Sequence, residues 1–459
     1  MPLIGTRGGA SAKGFGFTNL LNNATYYLGL QSITSQKTGV SYGMAVAYNN
    51  GSIGNFTFND TDTSSYNAIS AISTTPTQTY AGRIVGSPLP SMYYSSAQDK
   101  LYVMADYSGQ VAIFSAPATS FTLSTSYARI PNRTPYPVIL SILTYGITVD
   151  SSSNIYILGQ TMSEYTAGAC CCVFTSYGYS ITKLNSAGTA QWSSADVNAS
   201  STYDVTVCMT SVDSSGNVYI SADRYASNSA YISKFNSSGV NQWRYLYSSS
   251  GGKPNQFDLS ADGAYLYLLS PSGSAPYRVT KIDTSTGDVV WCTTVTGTST
   301  TFYPLGIKVG TDGNIYANVG AYDTAASKIN SHVLKISSAG SVQWQRNITV
   351  TGAGFNGTAR ISQLSLALDA NNNIYISSTT TIPQIFVAKL NPDGSGTGSY
   401  TVNTYPISYA ASSYTVTTSF TPTKSARATD YAYTGMSTTA STYAPSTASE
   451  TGTLYKQVL

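Results

Sequence analysis

Five lysines recur in one local frame, at Lys183, Lys234, Lys281, Lys335 and Lys389. A lysine stripped of water can act as a base or nucleophile, so each is a candidate for chemistry. An active site needs one such residue, and here it returns with every copy of a repeat. Recurrence favours an aliphatic stem packed between repeats, its ammonium reaching solvent or a turn carbonyl. The sole histidine, His332, lies in "NSHVLKI". Aligned on the lysine, its position holds Ser180, Tyr231, Arg278 and Phe386 in other copies, an ordinary strand position. A histidine metal site or a Ser-His-Asp triad would rest on this residue alone.

The elements that hold these residues repeat about every fifty positions. All four tryptophans end one motif: "KLNSAGTAQW" at Trp192, "KFNSSGVNQW" at Trp243, "KIDTSTGDVVW" at Trp291 and "KISSAGSVQW" at Trp344. "KLNPDGSGTGSY" is a fifth copy, with Tyr400 where the tryptophan would stand. Before each comes a turn and a tyrosine strand: "VDSSSNIYI" with Tyr156, "VDSSGNVYI" with Tyr219, "LSADGAYLYL" with Tyr267, "VGTDGNIYA" with Tyr316 and "LDANNNIYI" with Tyr375. Tyr102 marks a degenerate copy and Tyr27 a more distant one. Each unit reads as four short strands: one ending in the turn, then strands bearing Tyr, Lys and Trp. Four strands per fifty residues is the proportion of a propeller blade. The expected fold is all-β, a β-propeller of about seven four-stranded blades over residues 18–400.

Composition agrees. Charged residues make up 9% of the 459-residue chain, against roughly 25% in an average soluble protein. The 39 Gly and 38 Tyr, amid abundant Ser and Thr, suit strands and tight turns. The net charge of +3 carries no basic run, so nucleic acid is not expected as a partner. The apolar stretch 136–149 is too short and too polar to insert in a membrane. No run of 7–15 apolar residues opens the chain, so it does not read as a secretory signal.

"DSSGNVYI" and "TDGNIY" resemble the turn-strand signature of NHL and SBBP propeller repeats. The Gly-x-x-x-Trp ends resemble those of PQQ-like repeats. This resemblance implies a fold over residues 95–400 and leaves function open. Cys170, Cys171 and Cys172 invite comparison with quinoprotein dehydrogenases, whose quinone packs against adjacent cysteines. Those enzymes also need a tryptophan floor and a calcium site, and the tryptophans here are committed to the repeat. The odd total of five cysteines, with Cys208 and Cys292, fits free thiols in a reducing cytosol. Zinc held by Cys172, Cys208 and His332 would require the fold to bring them together. Asp369, Asn371 and Asn373, and also Asp393, mimic the start of a calcium loop but lack its later carboxylate. Turn closure by Asx side chains accounts for their spacing. No cofactor, metal or catalytic residue is expected.

The ends depart from the repeat. Residues 401–459 read as an irregular Ser/Thr/Tyr-rich extension with one strand in "SYTVTTSF". A strand from it, or one near Leu20 to Leu30, is expected to complete the ring. Tyrosines outside the repeat, in "TSSYNA", "DYAYTG" and around Tyr409 and Tyr414, are expected to expose their rings, as glycan-binding surfaces do. The opening "MPLIGTRGGASAKGFGF" has the gap of a phosphate loop at Gly9 to Gly14, but Lys13 precedes the second glycine instead of following it. It reads as an extended docking arm over residues 1–17, anchored by Leu3, Ile4, Phe15 and Phe17. Arg7 and Lys13 supply its charge, and Gly8 and Gly9 permit close backbone approach. "GTRGGASAKGFGF" resembles the leader shared by structural proteins of marine tailed phages. That resemblance implies a non-enzymatic virion protein, made in the host cytoplasm: a fibre, decoration or appendage subunit. Its partners would be other virion proteins through residues 1–17, copies of itself, and host surface glycan. The alternatives are a propeller enzyme degrading host polysaccharide and a bacterial surface adhesin or scaffold.

Overall fold

The computed structural model describes residues 26–33, 41–47, 53–59, 66–72, 78–85, 87–107, 110–117, 125–128, 138–167, 172–197, 206–224, 229–248, 256–270, 276–299, 301–355, 365–380, 385–426, 431–434, 447–449 and 452–459. The described elements are all strands, arranged in seven antiparallel sheets of four to six strands. The first sheet spans 41–85, the second 87–128, the third 138–197, the fourth 206–248, the fifth 256–296 and the sixth 302–350. The seventh combines Leu366–Leu368, Ile374–Thr379 and Ile385–Leu390 with Tyr27–Ile33 from the other end of the chain. The fold is propeller-like.

The predicted order of turn, Tyr, Lys and Trp strands is observed. Lys183 pairs with Trp192, Lys234 with Trp243, Lys281 with Trp291 and Lys335 with Trp344. The preceding turns reverse the chain through a residue at positive φ: Ser153, Gly216, Gly263, Gly313 and Asn372 stand in equivalent places. This conformation follows a type I turn in a hairpin, which explains the Asn, Gly and Ser found there. The tyrosine strands are buried on both faces. Val218, Tyr219, Ile220, Ser221 and Ala222 are all within 1% of full burial. Strands sandwiched between neighbouring sheets have no wet face for ionic side chains, which accounts for the low charge.

First strands neighbour one another from sheet to sheet. Val138–Val149 packs on Thr206–Val212, that on Gln256–Leu259, that on Phe302–Val309, and that on Leu366–Leu368. Leu366–Leu368 in turn lies beside Ser41–Ala47, which contacts Ser87–Ser95, which contacts Val138–Val149.

The C-terminal extension corrects the expectation of irregular chain. Among the described residues it carries Tyr405–Ala411, Thr415–Thr417, Thr423–Ala426, Tyr431–Thr434, Thr447–Ser449 and Gly452–Val458. These add, in that order, to the outer edges of the sixth, fifth, fourth, third, first and seventh sheets. The extension runs backward past the sheets as a belt, so most sheets have five or six strands, not four. The physical reason is the open edge of each fourth strand, a row of unpaired N–H and C=O groups that short Thr/Ser/Tyr segments satisfy.

Two register readings change with it. Tyr400, expected in a tryptophan place, lies in Gly398–Val402, a hairpin partner of Tyr405–Ala411 in the sixth sheet. The vacated fourth-strand position of the seventh sheet is filled by Tyr27–Ile33, where Tyr27 pairs with Lys389. Tyr27 therefore occupies the register place of a tryptophan, not of the repeat tyrosine.

Candidate functional site

The recurring residues converge on the junctions between sheets. In the third sheet Asp150 accepts the Tyr156 hydroxyl at 3.0 Å and the Asn154 amide at 2.8 Å. Asp213 binds Tyr219, and Asp369 binds Tyr375, in the same way at 3.1 and 3.0 Å. In the sixth sheet the carboxylate comes from Asp312, 3.0 Å from the Tyr316 hydroxyl. Burial is the main force raising the Tyr156, Tyr219, Tyr316 and Tyr375 phenols above their ordinary value, and the carboxylates add to it. These tyrosines stay neutral and act as fixed donors.

Each lysine then lies over its tyrosine ring, Lys335 at 4.9 Å and Lys389 at 5.1 Å. Three lysines share with their tryptophans a single carbonyl of the next sheet. Lys234 and Trp243 donate to Thr284 O at 3.2 and 3.0 Å. Lys281 and Trp291 do so to Ser338 O, and Lys335 and Trp344 to Pro392 O. Trp192 donates to Ser237 O at 2.9 Å. Burial lowers the Lys281 and Lys389 ammonium groups from their ordinary value, against the pull of Asp262 and Asp369. The ammonium contacts match the structural reading of the lysines.

The indole faces are used too. Trp192 lies flat on Gly239, so close that a Cβ there would stand 2.7 Å from the ring. Trp344 covers Gly394 and Trp291 covers Gly340 in the same manner. Between the fourth and fifth sheets Tyr245 takes this role over Gly287, with Trp243 stacked behind it at 5.4 Å.

His332 is fully buried, its Nδ1 2.8 Å from the Tyr277 hydroxyl of the neighbouring sheet. Burial drops its pKa to about 3, against a smaller upward pull from Gln345. The native imidazole is neutral while the unfolded one takes up a proton below pH 6.5. The unfolded state then binds more protons, so acid destabilises the fold. Between pH 6.5 and about pH 4.5 this histidine is expected to remove about 2 kcal/mol of stability. Denaturant midpoints of wild type and His332→Gln across that window check it; parallel pH profiles would contradict it.

Asp369 accepts the backbone N–H groups of Asn371 and Asn373 at 2.9 Å, the turn closure expected of it. Asp393 likewise accepts Ser395 N. Cys172, Cys208 and His332 fall on the third, fourth and sixth sheets. Cys170, Cys171 and the docking arm, with Leu3, Ile4, Arg7, Gly8, Gly9, Lys13, Phe15 and Phe17, lie outside the described residues.

What the sequence reading missed is how the belt grips the junctions. Tyr414, expected to be exposed, inserts against His332 at 4.5 Å and Phe302 at 6.0 Å. Tyr409 is fully buried. The Arg278 guanidinium lies 3.8 Å from the Phe420 ring. Lys424 pairs with Asp288 at 2.7 Å and lies over Tyr245. The extension has no internal repeat, so no periodic signal marked these residues. Where the belt crosses from the sixth sheet to the fifth, it leaves a cleft of about 620 Å³ against Val342–Val350.

The sheets and their junctions define an all-β, propeller-like repeat protein. No family model matches the chain, and no curated protein does. Solved structures with a similar fold include Kuenenia stuttgartiensis hydrazine synthase, 12% identical over 76% of this chain and 96% of that one, with a TM-score of 0.47. The Dos1 propeller is 10% identical over 79% and 95%, at 0.38. The polysaccharide lyase Uly1 is 8% identical over 76% and 90%, at 0.41. Likeness at this level carries no activity or partner across to this chain.

Proposed function

We propose that this chain is a non-enzymatic structural subunit of a phage virion, held on the particle by residues 1–17 and presenting its body to host surface glycan. The seven sheets are read as seven blades of a closed ring, sealed where Tyr27–Ile33 joins the last blade. The observation that carries the reading is the use of the repeated Asp, Tyr, Lys and Trp side chains. The Asp and Tyr side chains close turns within one blade and the Lys and Trp side chains bond the next blade, as befits a rigid, belted body. The phage assignment is supported by the resemblance of the leader. The first described residue, Tyr26, stands at the seventh sheet, where its carbonyl accepts Leu459 N at 3.0 Å.

Deleting residues 2–17 is expected to leave the unfolding midpoint unchanged and to abolish incorporation into particles, scored by immunoblot of purified virions. Normal incorporation of the shortened chain would reject the anchoring role.

A further inference from the structure

We infer that the cleft between Val342–Val350 and the belt at 412–418 is a subsite for a short neutral oligosaccharide, which rests on the glycan reading above and gives it a place. Its volume of about 620 Å³ lies within the range of small-ligand pockets, roughly 300–1,000 Å³. Its walls offer the amides of Gln343 and Gln345 and the hydroxyls of Ser341, Ser412 and Thr418, beside the half-buried indole of Trp344. Amides and hydroxyls both donate and accept, which suits a polyol better than an ion. The one charged lining residue, Arg346, already donates from Nε to Gly394 O and from Nη1 to Gln345 O.

Two details set this cleft up for a ligand. Gln345 ties the two walls together, its Nε2 donating to Tyr414 O at 2.8 Å while its buried Oε1 turns to the His332 ring. A wall fixed before binding costs less to order than a mobile one. Along Val342–Val350 the belt strand Tyr405–Ala411 covers Arg346–Val350, and Ser412 N reaches Gln345 O at 3.2 Å, so residues 342–344 have no belt strand on their outer side. That open edge is shorter than the usual strand of roughly five to six residues, which disfavours an added peptide strand and leaves room for a compact ligand.

The test titrates the purified full-length chain with lactose, cellobiose, N,N′-diacetylchitobiose and sialyllactose, by calorimetry and saturation-transfer NMR. Saturable binding of at least one neutral disaccharide is expected. Thr418→Trp, at an exposed position, should fill the cleft and abolish binding with the thermal midpoint retained. Gln345→Leu should weaken binding about tenfold, and Gln191→Ala, on the third sheet, should leave it unchanged. Binding that survives Thr418→Trp would overturn the cleft and spare the glycan reading. No binding by any neutral disaccharide would overturn both, and tighter binding of sialyllactose would overturn the neutral assignment. Particle incorporation is scored separately, so none of these outcomes bears on the anchoring arm.

Discussion

A chain ending after Ala411 is expected to unfold about 10 °C or more below the full-length protein and to self-associate. The truncation strips the outer strands Thr415–Thr417, Thr423–Ala426, Tyr431–Thr434, Thr447–Ser449 and Gly452–Val458 from five sheets. It also withdraws Tyr414 from its seat against His332 and Phe302, and Phe420 from Arg278. Loss of a fully buried large ring costs about 3–5 kcal/mol, and these half-buried rings forfeit a part of that each. Lys424 and Asp288 add little, because Asp288 is largely exposed. The uncovered edges have free backbone donors and acceptors, a template for pairing with other chains. Calorimetry and size-exclusion chromatography check both parts. A truncated monomer melting within a few degrees of wild type would show that the belt decorates the body without supporting it.

Gly239→Ala is expected to destabilise the protein by about 3 kcal/mol or more, far beyond an ordinary turn substitution. Its φ of +81° is unfavourable for any residue with a Cβ, costing about 1–2 kcal/mol. In addition the new methyl would sit 2.7 Å from the Trp192 ring and force the indole off the junction. Gly313 separates the two effects, because it has a φ of +70° and open space around its Cβ position. Gly313→Ala should therefore show only the backbone cost, about 1 kcal/mol. Combining Gly239→Ala with Trp192→Ala should cost less than the sum of the two, since the ring that clashes is gone. Equal losses for Gly239→Ala and Gly313→Ala, or strict additivity in the double mutant, would refute the flat seat of the indole.

Both expectations show how much was legible in the residues. Trp192 to Trp344 and Tyr156 to Tyr375 announce the repeat because the sheets that carry them share one kind of junction, and like contacts call for like residues. The Asp369 turn was equally readable, since Asx closure is local and needs no knowledge of distant chain. Tyr400 was misplaced because its spacing from Lys389 mimics a fourth strand, while Tyr27–Ile33 already occupies that edge. Local pattern cannot report which of two distant segments wins an edge.

The sequence by itself determined the strand content, the hairpin turns, the four-strand unit and the register of the lysines opposite the tryptophans. All of these follow from short-range periodicity and turn chemistry. Only the tertiary structure decided the backward course of residues 405–458, the burial of Tyr409 and Tyr414, and the cleft beside Gln345. Each of these depends on strand edges and cavities created by chain far away in sequence, and such a partner leaves no periodic mark on the segment that fills it.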